Sequence, residues 1–270
     1  MQEAAQEAMQ EAEILIDVRE QALWLTFNRP EVMNAISPGV IALAMRALDD
    51  AERRDDIRAI VLTGNGRAFC AGADLKFAQG ALQGNASGTD RFLADLLVLL
   101  NRLERLTRPV IAAVNGLALA GGLELVLCCD LVLAARSARF GDAHANYGLL
   151  PGGGGSVRLP RKIGATRAKY LMYTGEFASA ESMERAGLVN AVVDDAELLD
   201  ACAALVRKIA AKSPLGLARM KALVNDGLEQ PVDVALRQEL LVSALHQHSH
   251  DIQEGLAAFQ EKRAPRFLGR

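Results

Sequence analysis

The sequence has no basic excess. Its 30 lysines and arginines stand against 33 aspartates and glutamates, a formal net charge of −3 over 270 residues. Nucleic-acid binding draws on clustered positive charge, so no nucleic-acid partner is expected. The densest basic stretch, Arg158, Arg161, Lys162, Arg167 and Lys169, reads as a solvated helix face. Cysteine is scarce as well. Cys70, Cys128, Cys129 and Cys202 have neither the paired spacing of a zinc site nor the density of a disulfide framework, so no metal is expected. Cys128 and Cys129 lie in an apolar run and read as small core residues of a protein from a reducing compartment. The opening MQEAAQEAMQEAE lacks both a basic start and an apolar stretch, so it does not read as a secretory signal. The expectation is a cytoplasmic protein whose residues 1–13 form a frayed or disordered tail. Uninterrupted membrane-length hydrophobicity is also missing. Residues 110–135 come close, but Asn115, Glu124 and Asp130 and the glycines Gly116, Gly121 and Gly122 break the run. Charge is costly at bilayer depth, so a buried strand, a glycine turn and a buried helix explain the run better than a membrane span.

Hydrophobic residues make up 51% of the chain, enough for a sizeable core. Residues 14–18 and 23–27 read as two paired strands. Residues 38–54 have helical spacing and open on Ser37 with proline at the first position. Short strands follow at 59–62, 110–114 and 131–134, with helices at 90–106 and 121–129. Residues 64–72 read as a glycine-punctuated loop and residues 79–89 as a mobile surface loop. This alternation predicts an α/β core over residues 14–195. Residues 196–270 form a helical region whose Leu- and Ala-rich faces imply a covered neighbour or an oligomer interface.

Two local patterns carry chemistry. AFCAGADL (68–75) and NGLALAGGLEL (115–125) each place small residues where a strand gives way to a helix. Small residues admit a ligand to the main chain, and free N–H groups at a helix start attract negative charge. If the two turns meet in space they make a pair of donors for one oxygen, an oxyanion hole. Asp74 reads as a helix cap. Glu124 stands inside an apolar helix between Leu123 and Leu125. Burial there raises a carboxyl pKa and suits a general acid or base. One of only four histidines, His144, lies in FGDAHANYGLLPGGGG (140–155). The four glycines are not a phosphate loop, because no Gly-Lys-Ser/Thr follows them. They read as the opening of a helix near Ser156 that leaves room for a ligand. Tyr147 reads as a packing residue sooner than as a lining of that space. His246, His248 and His250 alternate at a spacing wrong for one helix face and read as exposed.

Taken in order, FNRPEVMNAIS (27–37), AFCAGADL, PVIAAVNGLALAGGLELVLCCDLVLA (109–134), FGDAHANYGLLPGGGGSVRLPRKIG (140–164) and EGLAAFQEKRAPRF (254–267) resemble the crotonase superfamily, the enoyl-CoA hydratase/isomerase family. The resemblance implies an α/β fold, a crotonase-like spiral of ββα repeats with a C-terminal helical trimerisation region. It also implies a homotrimer, or a hexamer built as a dimer of trimers. It implies an acyl-CoA thioester as substrate, with coenzyme A entering as part of that substrate and no separate cofactor. The family's two oxyanion amides fall on Ala73 and Gly121. Carbonyls at Ala71 and near Leu75 match those that meet the adenine of CoA, and Lys262 matches a position that reaches a neighbouring subunit's CoA.

Hydratases of the family hold a water between two glutamates. Glu124 matches the first, but the second position, seven residues before the proline, is His144. Hydration of a 2-enoyl-CoA, or a related proton transfer, with Glu124 and His144 as acid and base in either order, is the leading expectation. A catalytically weak acyl-CoA-binding protein is one alternative. Hydrolysis of a carbon–carbon bond in a β-diketone is another. The last calls for an acidic partner in the glycine stretch, which has none, and Asp142 is expected to face away.

Overall fold

The structure is a computed structural model that describes residues 12–74 and 86–270. Most of the expected tail, most of the 79–89 loop, and Leu75 lie outside the described residues. The last two residues of the expected tail are tied in. The Ala12 carbonyl accepts from Asn28, the Glu13 carbonyl accepts from the Asn28 amide, and the Glu13 carboxylate accepts from the Ser37 hydroxyl at 2.8 Å.

Two strands open the chain, β1 (Ile14–Arg19) and β2 (Ala22–Phe27), paired antiparallel with Ile14 opposite Phe27. Helix α1 (Pro38–Glu52) starts at Ser37, whose hydroxyl accepts from the Val40 amide, with Pro38 at a position whose missing N–H costs nothing. Then the chain cycles. β3 (Ala59–Gly64) is followed by β4 (Ala68–Cys70), and helix α2 (Ala86–Arg105) comes next. β5 (Val110–Val114) is followed by β6 (Leu117–Leu119) and helix α3 (Gly121–Leu127). β7 (Leu131–Ala135) is followed by β8 (Arg139–Gly141), then α4 (Gly155–Ile163) and α5 (Ala165–Thr174). β9 (Ala178–Ser179), α6 (Ala180–Arg185) and β10 (Ala191–Val193) close the last turn. Four helices finish the chain: α7 (Leu198–Ala210), α8 (Pro214–Gly227), α9 (Val232–His246) and α10 (His250–Glu261).

Each turn of the spiral gives one strand to each of two sheets. The larger sheet runs β1-β2-β3-β5-β7-β10 and the smaller β4-β6-β8-β9. Both therefore advance by one strand per turn. The inner strands β3, β5 and β7 are parallel and mostly apolar, as burial on both faces demands; VIAAV of β5 is buried at every residue. Helix α7 lays Leu198, Cys202 and Val206 against β3, β5 and β7. The strands β4, β6 and β8 have three residues each, too few to show an alternating pattern, and the sequence reading takes β4 for part of a loop. The apolar run 110–135 resolves into β5, β6, α3 and β7, and no helix among the described residues is long and apolar enough to cross a membrane.

The helical end is fastened to the core by charge. Lys221 of α8 is nearly buried and donates to Asp130 at 2.7 Å and to the carbonyls of Leu103 and Arg108. Asp130 also accepts from the Val110 amide at 2.7 Å, at the start of β5. Lys221→Ala strands this carboxylate with one donor. It is expected to lower the unfolding free energy by about 3 kcal/mol, measured by urea denaturation at neutral pH.

Candidate active site

Topology brings the two glycine turns together. β4 and β6 are parallel neighbours, and each runs into its turn at the same end. Gly72 has a φ of +110°, reserved for glycine, and a Cβ there would lie 3.0 Å from the Ala120 Cβ and 3.2 Å from the Gly121 nitrogen. A Cβ on Gly121 would lie 3.4 Å from the Ala73 nitrogen. The amides of Ala73 and Gly121 thus sit on facing turns, and neither donates to a backbone acceptor among the described residues. The reasons are local. The Ile36 amide donates to the Gly72 carbonyl and the Asp74 amide to the Ile36 carbonyl, which turns the Ala73 N–H to the opposite side. Gly121 is the first residue of α3, so its N–H has no intrahelical acceptor. Ala120 before it holds a strained φ of 47° and ψ of −119°, anchored by its amide on the Gly141 carbonyl.

The FNRPEVMNAIS segment buttresses this arrangement. Arg29 donates to Asp74 at 2.9 Å and to the Ala35 carbonyl at 2.7 Å. Asp74 is therefore an ion-pair partner as well as a turn residue. The buried Asn34 donates to the Ala68 carbonyl at 2.7 Å and accepts from the Arg29 amide.

One helical turn after Gly121, the Glu124 side chain is 2% exposed. Its Oε1 accepts from the amides of Gly153 and Gly155, both at 2.8 Å. The four-glycine stretch is a cradle for a carboxylate. A Cβ on Gly153 would come within 2.5 Å of Glu124 Oε2. The glycines open helix α4 at Gly155, as the sequence suggests, but the sequence reading does not foresee the cradle; its signal is a lone buried carboxylate in need of donors. Arg158 holds the cradle in place. It donates to the Gly153 carbonyl at 2.8 Å, to Glu104 at 2.9 Å and to Asn101 at 2.6 Å. The expected solvated basic face is thus corrected at its first member: the Arg158 guanidinium is largely buried because its hydrogen bonds all lie within the fold.

His144 begins a short 3-10 helix, His144–Tyr147, and its side chain is 11% exposed. The expectation that Asp142 faces away is overturned. Ala143 is left-handed at φ 58°, the His144 amide donates to the Asp142 carbonyl at 2.8 Å, and this tight turn carries both side chains to the same side. Asp142 Oδ1 lies 3.1 Å from His144 Nδ1. The approach is off the ring N–H direction, so the contact is an ion pair more than a well-aimed hydrogen bond. Burial pushes the Glu124 carboxyl above its ordinary value; the Gly155 and Gly153 amides and His144 oppose this, and Asp142 adds to it. Burial alone would lower the His144 pKa, but Asp142 and then Glu124 outweigh it and hold the imidazole above its ordinary value. A buried carboxylate and an imidazole under mutual influence, with two unused amides on adjoining turns, can bind an oxygen that gains charge and move a proton beside it.

The remaining expected positions are scattered. The Ala71 amide donates to the Met33 carbonyl at 3.0 Å, and its own carbonyl accepts from no described backbone donor. Lys262 is exposed, in a left-handed conformation that ends α10, with no hydrogen bond or ion pair to the Glu124 cluster among the described residues. Tyr147 is 72% exposed, so its expected packing role fails within this chain: the 3-10 helix turns it outward. Of the three late histidines His246 is half-buried against Arg219 at 2.8 Å, which corrects the expectation of three exposed rings; His248 and His250 are exposed.

The comparisons with known proteins agree with one another. A sequence profile described as enoyl-CoA hydratase/isomerase matches residues 18–270. Crotonyl-CoA hydratase of Syntrophomonas wolfei is 36% identical over 258 residues, covering 95% of this chain and 98% of that protein. 1,2-Epoxyphenylacetyl-CoA isomerase of Escherichia coli is 39% identical over 261 residues, with the same 95% and 98% coverage. Among solved structures, enoyl-CoA hydratase from Bacillus anthracis superposes with a TM-score of 0.91 at 35% identity, covering 96% of this chain and all of that one.

The raised Glu124 pKa makes a stability prediction. The native state binds this proton more tightly than the unfolded chain, so the associated stability is complete below the ordinary carboxylate value and is lost as pH rises through the native one. Glu124→Gln cannot ionise. It is expected to gain stability over the wild type as pH rises through that window, the two converging at acid pH. Urea midpoints between pH 4 and 8 measure the gap; one that stays flat contradicts the raised pKa.

Proposed function

Since the chain belongs to the enoyl-CoA hydratase/isomerase family, we propose that it hydrates a 2-enoyl-CoA thioester. The thioester oxygen binds between the amides of Ala73 and Gly121. Polarised there, the enoyl group accepts water at its β-carbon, and the oxygen carries the enolate charge. Glu124 takes a proton from the water as its oxygen bonds to carbon. His144 gives a proton to the α-carbon, which collapses the enolate. Water is thereby split across the double bond, and exchange with solvent returns Glu124 and His144 to their starting forms.

The observation that carries this reading is the coupling of Glu124 to His144. Two amide donors stabilise the Glu124 carboxylate form that a base needs, and Asp142 and Glu124 both favour the protonated imidazole. This favours Glu124 as base and His144 as acid over the reverse order. The Ala71 carbonyl, which accepts from no described backbone donor, supports a contact with the adenine of CoA, and Leu75 is assigned the same task from its motif. Lys262, exposed at the end of α10, is proposed to reach the CoA bound to a neighbouring subunit. No separate cofactor or metal is proposed. The apolar surface of α8 and α9, with Met220, Val224, Leu228, Leu236, Leu240 and Leu245 all more than half exposed, supports a homotrimer or a dimer of trimers.

A second reading, hydrolysis of a carbon–carbon bond in a β-diketone, gains from one observation. The glycine stretch has no acidic partner for it, but a carboxylate, Asp142, stands 3.1 Å from His144.

Crotonyl-CoA and longer enoyl-CoAs are expected to lose their enoyl absorbance with the enzyme. Glu124→Gln is expected to lower kcat by about 100- to 10,000-fold, the usual range for a general base. Tight acyl-CoA binding without turnover at any chain length sinks the reading, and turnover of a cyclic β-diketone alone establishes the second one. Light scattering is expected to give about three or six times the 28.9 kDa chain mass; a monomer contradicts the assembly.

A further inference from the structure

We infer that Asp142 is a positioning residue for His144: its buried carboxylate fixes the ring with Nδ1 inward and leaves Nε2 as the one atom that exchanges a proton with the substrate. The role of Nε2 rests on the proposed acid–base part of His144. The placement of the ring rests on geometry alone.

Three observations carry it. First, Asp142 is 2% exposed and has no lysine or arginine partner among the described residues. A buried carboxylate without a counter-charge is strongly disfavoured, and the imidazole 3.1 Å away is the group placed to be its counterion when protonated. Second, the two ring nitrogens are unlike. Nδ1 is fully buried, and its polar neighbour is Asp142. Nε2 makes no hydrogen bond among the described residues and is not among their buried, partnerless atoms, so it is the nitrogen open to solvent. Third, the backbone dictates the pairing. Asp142 follows directly on β8, which pairs with β6, and β6 leads into the Gly121 turn. The left-handed Ala143 then folds His144 back onto Asp142. The dyad is thereby registered to the turn that carries Gly121. It also closes against the carboxylate cradle: a Cβ on Gly155 would lie 3.2 Å from Glu124 Oε1 and 3.3 Å from Asp142 Oδ2.

The other charged groups around the ring leave this pair in command. From α3, Glu124 acts on His144 in the same sense as Asp142. From α4, Arg158 is committed to Gly153, Glu104 and Asn101. Helix α5, packed on the short helix, carries Arg167, Lys169, Tyr170 and Tyr173, all solvent-exposed. When Nε2 gives its proton to the α-carbon, a C–H bond forms and the ring is left neutral with its remaining proton on Nδ1, still facing Asp142. Water then reprotonates Nε2. A partner on the far nitrogen holds one tautomer, as the orienting acid does in other acid–base dyads.

The test uses the full-length protein with isotope-labelled histidine, followed by NMR. His144→Gln identifies the His144 signal among the four rings. Asp142→Asn is expected to lower the His144 pKa by about one unit, the usual effect of removing an adjacent opposite charge. The basic limb of kcat/KM is expected to move down with it. Loss of ring orientation is expected to cut kcat about tenfold, while KM stays within about twofold. In the wild type, the neutral ring is expected to be the Nδ1–H tautomer, a measurement that stands even if Asp142→Asn fails to fold. An unmoved His144 titration in Asp142→Asn, or an Nε2–H tautomer in the wild type, overturns the inference. A moved titration in a protein that turns over no enoyl-CoA leaves the dyad standing and removes the hydratase reading instead.

Discussion

A carboxylate inside a short helix of leucines and glycines is the constraint around which this molecule is organised. Burial of Glu124 without donors would cost several kcal/mol or neutralise the group. The fold answers with two amides of the glycine stretch on a single oxygen. This explains why side chains are absent at Gly153 and Gly155, where a Cβ would press on the carboxylate. It also explains Arg158, whose hydrogen bond to the Gly153 carbonyl fixes the peptide that does the holding. The acid, the segment that holds its cradle and Arg158, and Arg158's own partners Asn101 and Glu104 come from three stretches distant in sequence.

The spiral makes such convergence cheap. Each turn sends one strand to the large sheet and one to the small, and β4, β6 and β8 of the small sheet run parallel into their turns at a common end. The Gly72 turn, the Gly121 turn and the Asp142 turn therefore line up without long loops. Chemistry gathers at the ends of parallel strands because successive strands deliver backbone groups there at a fixed spacing. The strain at Ala120 and Ala143, both at positive φ, is concentrated in the same place.

The relatives are named both as hydratases and as an isomerase. In this chain the group proposed to work with Glu124 is an imidazole with Asp142 beside it, and Glu124 acts on it in the same sense. Glutamate at the same position would be a third negative charge in a buried cluster. Histidine is compatible with Asp142, and Asp142 is compatible with burial because histidine is there. The two residues are best understood as one substitution unit.

Much was legible in the sequence. The α/β alternation, the helix capped by Ser37, the two small-residue turns and the oddity of Glu124 followed from local rules: strands buried on both faces need continuous apolar runs, and a charge in an apolar helix needs a reason. The five quoted motifs were enough to indicate the family. Tertiary structure decided what depended on groups far apart in the chain. Three-residue strands have no period to detect, so the small sheet was invisible. Arg158 looked like solvated charge because its partners, Asn101 and Glu104, lie on another helix. Asp142 lies just past the end of β8, and the direction of its side chain relative to His144 is set by one left-handed alanine between them, which no sequence pattern shows. Composition and spacing determine which residues can do chemistry; the handedness of single turns decides which of them meet.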